Sequence, residues 1–190
     1  MAEPGCTPGQ TAGPFLHLGL SYPGDRSLVD ERHPQAVWLH GTVYDGAGGA
    51  VPDAVVELWQ PGPDGRIPRR DGSLRRDRPE FTGWGRCATD AAGRYSFTTL
   101  TPGPPGPGRA PFFALVMFAR GLPDRLFTRA YLPGAGPGDD PLLAAVDAGR
   151  RATLVCAAED DSTGTTGYRF DIHLQGPDET VFLTYRDGRR

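Results

Sequence analysis

Tyr168-Arg169-Phe170-Asp171-Ile172-His173-Leu174 alternates apolar and polar side chains without a break. Successive side chains of a β-strand point to opposite faces. Tyr168, Phe170, Ile172 and Leu174 therefore share one face, and Arg169, Asp171 and His173 share the other. Such a strand keeps one face on a core and one in water, as antiparallel sheets commonly do. The same reading extends outward. Tyr95 and Phe97 share a face within Arg94–Thr99. Val37–Tyr44 is rich in strand formers and closes on the turn Asp45-Gly46-Ala47-Gly48-Gly49. Ala54–Gln60, Phe112–Ala119, Leu126–Leu132, Ala152–Cys156 and Thr180–Tyr185 complete a set of about eight strands. One short helix is expected: Asp139 or Asp140 caps it, Pro141 stands in its first turn, and Leu142–Val146 forms the body.

These segments predict an all-β chain, an antiparallel β-sandwich over residues 37–190 preceded by an extended N-terminal arm over residues 1–36. Composition agrees. The chain's 27 glycines and 20 prolines follow no short repeat, which fits many turns between short strands. Hydrophobic residues at 38% and charged residues at 23% support a packed core rather than disorder. No apolar run approaches the ~20 residues of a membrane-spanning helix.

The net charge of −3 supplies no basic field for nucleic acid. All 20 basic residues are arginine, and the absence of lysine and asparagine excludes a Schiff-base lysine and N-glycosylation. Cys6, Cys87 and Cys156 are far apart and form no CxxC, so they read as reduced thiols. The first ten residues lack a basic and then apolar leader. The cytoplasm is the expected compartment. Phosphate-binding, nucleophile-elbow and HExxH motifs are missing, and no two of His17, His33, His40 and His173 stand at a metal-pairing spacing. His17, after a Gly-Pro turn in the arm, is the histidine most worth locating. Arg66, Arg69, Arg70, Arg75, Arg76 and Arg78 make one dense segment that reads as an anion site, a subunit contact or a solvated loop.

A more specific signal lies in Leu39-His40-Gly41-Thr42-Val43, Gly48, Val51, Val56-Glu57-Leu58-Trp59-Gln60 and Gly65. It continues through Gly85-Arg86, Thr89-Asp90, Gly93-Arg94-Tyr95 and Pro102-Gly103, and ends in Tyr168–Gly176 and Glu179–Phe182. In order and spacing this resembles the intradiol ring-cleavage dioxygenase family, over roughly residues 7–185. Catalytic chains of that family hold a non-haem Fe(III) with two tyrosines and two histidines. The resemblance places Ile67 and Pro105 where the tyrosines would stand, and Phe112 and Ala114 where a His-x-His would stand. None offers a donor. No histidine lies between His40 and His173 to rescue the pair. The resemblance thus implies an iron-free alpha chain that binds no cofactor itself and has no catalytic residue of its own.

Its implied partner is a beta chain in an (αβ)n assembly. There Fe(III) in the beta chain cleaves 3,4-dihydroxybenzoate with O2 to 3-carboxy-cis,cis-muconate. The implied contribution of this chain is pocket wall. Thr11, Gly13, Pro14 and Phe15 match an arm that reaches the partner's site, with Phe15 where the family more often has tyrosine. Glycine permits close backbone approach to a ligand, and proline fixes its direction. Arg120 matches a substrate-binding arginine, and Arg129 is a second candidate, since guanidinium forks suit a carboxylate. For Arg120 the competing reading is a structural ion pair with Asp124, and Trp59 reads as core or pocket wall. The alternative for the whole chain is a stand-alone, non-catalytic sandwich that binds a ligand. A module without a partner has little use for the arm.

Overall fold

Val37, Leu39, Gly41 and Val43 turn inward along β1 (Ala36–Tyr44), while Trp38, His40 and Thr42 turn out. The computed structural model describes residues 10–68, 80–159 and 165–185. β1 lies inside the first sheet. β4 (Arg94–Leu100) runs antiparallel beside it, pairing Ala36 with Leu100 and Gly41 with Tyr95. On its other side β8 (Gly167–Arg169) and β9 (Ile172–His173) pair with β1 in parallel, and β7 (Ala157–Ala158) lies outside β8. The second sheet is antiparallel throughout, in the order β3 (Trp84–Ala88), β2 (Val55–Trp59), β5 (Phe112–Phe118), β6 (Leu126–Tyr131). Leu39, Val43, Phe97 and Ile172 from one sheet meet Val56, Leu58, Phe113 and Leu115 from the other in a single core. Two short helices complete the chain, α1 (Leu16–Leu20) in the arm and α2 (Pro141–Ala145) over a smaller apolar cluster.

The sandwich is the expected fold class, and particular elements depart from the sequence reading for identifiable reasons. Tyr168–Leu174 keeps its alternation but divides between β8 and β9. At the break the Phe170 carbonyl enters β1 opposite Gly41, where an added Cβ would lie 1.9 Å from it. The buried Tyr95 hydroxyl donates to that carbonyl, so it leaves the ladder without being orphaned. β3 carries no apolar alternation in the sequence because Gly85 interrupts it. A Cβ on Gly85 would approach Leu28 Cδ1 to 2.6 Å, so packing demands the glycine.

Ala152–Cys156 is no strand. A 3₁₀ helix occupies Ala148–Leu154, capped where Asp147 accepts from Gly149 N at 2.9 Å. Thr180–Tyr185 meets β6 through the single bridge Leu183–Phe127, and Thr180 Oγ1 accepts from His173 N at 3.0 Å. The helix expected at Leu142 forms with Asp140 as its cap, accepting from Leu142 N at 2.8 Å; Asp139 accepts from Gly136 N instead. The arm is held to the sandwich at its far end, where Leu28 enters the core and its N–H donates to Thr98 O at 2.8 Å. Of the arginine-dense segment, Arg69, Arg70, Arg75, Arg76 and Arg78 lie outside the described residues.

Gly41→Ala is expected to destabilise the fold by about 3 kcal/mol or more, because neither β1 nor the Phe170 carbonyl can yield without breaking the ladder. Gly106→Ala, whose Cβ would meet nothing within 4 Å, is expected to leave the denaturant midpoint in place.

The buried thiols give a second check. Desolvation pushes Cys156 up to about 12 and raises Cys87 above its ordinary value of 9.0. Both stay protonated at pH 8 and are expected to react with Ellman's reagent only after unfolding. A thiol raised on folding contributes stability that is full below its unfolded value and lost as pH rises through its folded value. Stability is therefore expected to fall as pH climbs from 9.0 toward 12.

Candidate functional site

β5 ends at Phe118, and Ala119 is buried against the core, so the chain turns outward at Arg120. Here the arm returns to the sandwich. Ala12 forms a parallel bridge with Arg120, and Gly121 N donates to Thr11 Oγ1 at 2.6 Å. Thr11 and Ala12 are therefore bonded to the Arg120–Gly121 backbone, although more than half the chain separates them in sequence, and Gly13, Pro14 and Phe15 follow directly in the chain. Gly13 needs no glycine on behalf of its own chain, for an added Cβ would meet nothing within 4 Å. Leu16 N donates to Gly13 O at 3.2 Å, closing the turn through Pro14 that starts α1.

α1 buries none of its residues. Phe15 is 74% exposed and Leu18 64%, so these two apolar side chains of the arm face away from its own core. Its position is nonetheless defined. Arg86 Nη1 donates to the Leu20 carbonyl at 3.4 Å while its guanidinium pairs with Glu57 at 2.6 Å on the outer face of the second sheet. His17 sits in the last turn of α1, with its Nδ1 enclosed and without a hydrogen-bond partner among the described residues.

Arg120 extends into solvent, its side chain 63% exposed, and its Nε lies 3.3 Å from Asp53 Oδ2. The carboxylate that pairs with it is Asp53, just ahead of β2, and not Asp124. No other partner for the guanidinium occurs among the described residues.

Arg129 belongs to a different place. It lies opposite Ala114 in the β5–β6 ladder, roughly 20 Å along β5 from Arg120 at ~3.4 Å per residue. Its guanidinium stands 4.0 Å over the Phe112 ring, Nη1 donates to the Tyr131 hydroxyl at 3.1 Å, and the buried Asp140 Oδ1 is 3.9 Å away. Burial pushes the Tyr131 phenol up, against the opposing pull of Arg129. The arm, Arg120 and Arg129 do not form one site.

The positions that the family resemblance sets against iron ligands are hydrocarbon. Ile67 is a solvent-facing loop residue, Pro105 lies in the turn after Pro104, and Phe112 and Ala114 line the outer face of β5 beside Arg129. These residues do not fit a ferric ion, which requires anionic oxygen or imidazole donors. Among the described residues, no three His, Cys, Asp or Glu side chains gather to replace them. Trp59, expected as core or pocket wall, is half exposed and tilts against Trp84 at 5.8 Å.

Asp53 was silent in the sequence, and so was the ion pair of Asp140. Asp53 meets Arg120 through the β2–β5 pairing, and Asp140 meets Arg129 through the packing of α2 beside Tyr131. A capping signal marked Asp140, but nothing local marked its ion pair.

Comparison with known proteins identifies the family and the fold. The family profile described as Dioxygenase matches residues 26–111. The protocatechuate 3,4-dioxygenase alpha chain of Burkholderia cepacia is 37% identical over 194 residues, spanning 93% of this chain and 96% of its own. The beta chain of the same name from that organism is 35% identical, but over 77% of this chain and 67% of its own. In fold, the chain is similar to the dioxygenase domain of a dioxygenase–carbohydrate-binding fusion from Streptomyces sp. SirexAA-E, with TM-score 0.58, 24% identity, and coverage of 90% of this chain and 98% of that one. A relative of such identity, matched along nearly all of both chains, establishes that this chain belongs to the intradiol ring-cleavage dioxygenase family.

Proposed function

We propose that the chain is the iron-free alpha subunit of an (αβ)n protocatechuate 3,4-dioxygenase, working in the cytoplasm beside a beta subunit that carries the Fe(III). The observation that carries this reading is the junction of the arm with Arg120. Thr11 and Ala12 are bonded to the Arg120–Gly121 backbone, Gly13, Pro14 and Phe15 follow them exposed, and the glycine is one that its own fold does not require. A pocket wall supplied to a neighbouring subunit accounts for that glycine. It also accounts for Phe15 and Leu18, since burying each would be worth about 1.5–3 kcal/mol that the isolated chain forgoes.

The division of labour follows from the residues. Hydrocarbon at the four ligand positions leaves ring cleavage to the beta subunit. This chain's share is to close one side of the pocket and to hold the carboxylate of 3,4-dihydroxybenzoate through Arg120, orienting the ring and excluding water. Arg129, enclosed against Phe112, Tyr131 and Asp140, serves the fold more than the ligand. Residues 1–36 act as the reaching arm and residues 37–190 as the sandwich. No described helix is long and apolar enough to cross a membrane. A stand-alone binding module would leave the exposed arm unexplained.

Iron content and protocatechuate-dependent oxygen uptake, measured for the chain alone and with its beta subunit, test the reading. The chain alone is expected to be colourless and inactive. The complex is expected to hold one iron per αβ pair and to consume oxygen. Iron binding and turnover by the chain alone would overturn it. In the complex, Arg120→Ala is expected to raise KM for 3,4-dihydroxybenzoate by a loss of about 1–3 kcal/mol. Deleting residues 1–15 is expected to leave the sandwich folded, because Leu28 and its ladder bonds remain, while abolishing most turnover of the complex.

A further inference from the structure

The pair formed by Arg120 and Asp53 is asymmetric. The Arg120 side chain is 63% exposed and the Asp53 side chain only 13%. Asp53 also sits on the stiffer backbone. Thr89, itself buried, donates through Oγ1 to Val51 O at 2.8 Å and accepts from Ala54 N at 3.0 Å, clamping the chain on both sides of Asp53. Val51 N donates to Val43 O at 2.9 Å, and Ala54 is fully buried. The carboxylate is thus a fixed post, and the guanidinium is the movable member.

We propose that Asp53 is the positioning residue for Arg120: by engaging Nε, it selects the rotamers of a long side chain that leave the Nη1–Nη2 edge open for a ligand carboxylate. The proposal rests on the reading of Arg120 as the carboxylate-binding residue. Guanidinium is planar and presents its donors in fixed forks, so occupying the Nε side leaves the far edge as a ready bidentate site. The backbone of Arg120 is held as well, through the Ala12 bridge and the Gly121–Thr11 hydrogen bond. With root and Nε both constrained, little of the side chain's freedom remains to be lost when substrate binds.

Simple electrostatics predicts the opposite. An aspartate beside Arg120 partly cancels its charge, and removing that aspartate would strengthen attraction for an anion. The sign of the effect therefore decides between positioning and neutralisation.

In the αβ complex, Asp53→Ala is expected to raise KM for 3,4-dihydroxybenzoate about fivefold with kcat within about twofold, and to leave KM for 4-methylcatechol, which has no carboxylate, unchanged. Asp53→Asn keeps size and an acceptor oxygen, so it is expected to fall between wild type and Ala; it also secures the test should the Ala variant assemble poorly. Asp53→Ala is expected to add nothing in an Arg120→Ala background, as coupled residues do. An unchanged or lowered KM for 3,4-dihydroxybenzoate in both Asp53 variants, with Arg120→Ala still raising it, would overturn the positioning role alone. Arg120→Ala without effect on KM would overturn the substrate reading and the positioning role with it.

Discussion

The carbonyl of Phe170 lies where a side chain on Gly41 would have to be, and the remainder of the first sheet is arranged around that contact. Because Gly41 yields the space, the late segment can lie in parallel beside β1 with its apolar residues still directed into the core. Because Tyr95 on β4 donates to the same carbonyl, three strands are tied at one point. The Tyr95 phenol is fully enclosed, and burial raises it well above its ordinary value, so it remains a neutral donor across the physiological range. A non-local parallel pairing carries a high loop-closure cost, and here it is offset by a packing contact that only glycine permits.

With the first sheet set, the second is free to be functional on its outer face. The side chains of β5 that point away from the core include Phe112 and Ala114, and those of β6 include Arg129 and Tyr131. This outer face carries a guanidinium over an aromatic ring, a phenol and a buried carboxylate, so a fixed organic cation stands beside the hydrocarbon positions. A buried charge without a partner is costly, and Asp140 meets this through Oδ1, which accepts from Leu142 N and faces Arg129 at 3.9 Å, while Oδ2 has no hydrogen-bond partner among the described residues. The cluster is consistent with a chain whose stability does not wait on a metal.

The end of β5 has the opposite character. Charge and apolar area are exposed rather than enclosed, yet their positions are well defined: the arm is bonded at Thr11, Leu20 and Leu28. Rigid attachment of exposed aromatic and aliphatic groups is a poor use of an isolated surface and a good preparation for an obligate subunit contact, where preorganisation lowers the cost of association.

What the sequence determined by itself was everything that rests on local periodicity or chemistry. Alternation in Tyr168–Leu174, the Asp45 turn and the Asp140 cap depend on neighbours a few residues away, and were legible there, while the weight given to positions 67, 105, 112 and 114 came from the resemblance to the family. Ala152–Cys156 misled because a β-branched composition describes a strand as readily as a short 3₁₀ turn, and Asp147, outside that window, settled the matter. Only the tertiary structure decided which polar groups meet. The parallel return at Phe170, the arm's landing on Arg120, the Asp53 carboxylate on Nε, and the removal of Arg129 to the far end of β5 are long-range pairings. An ion pair leaves no periodic trace in either of its segments. Its geometry exists only once sheet register has brought the two carriers within a few ångströms of each other.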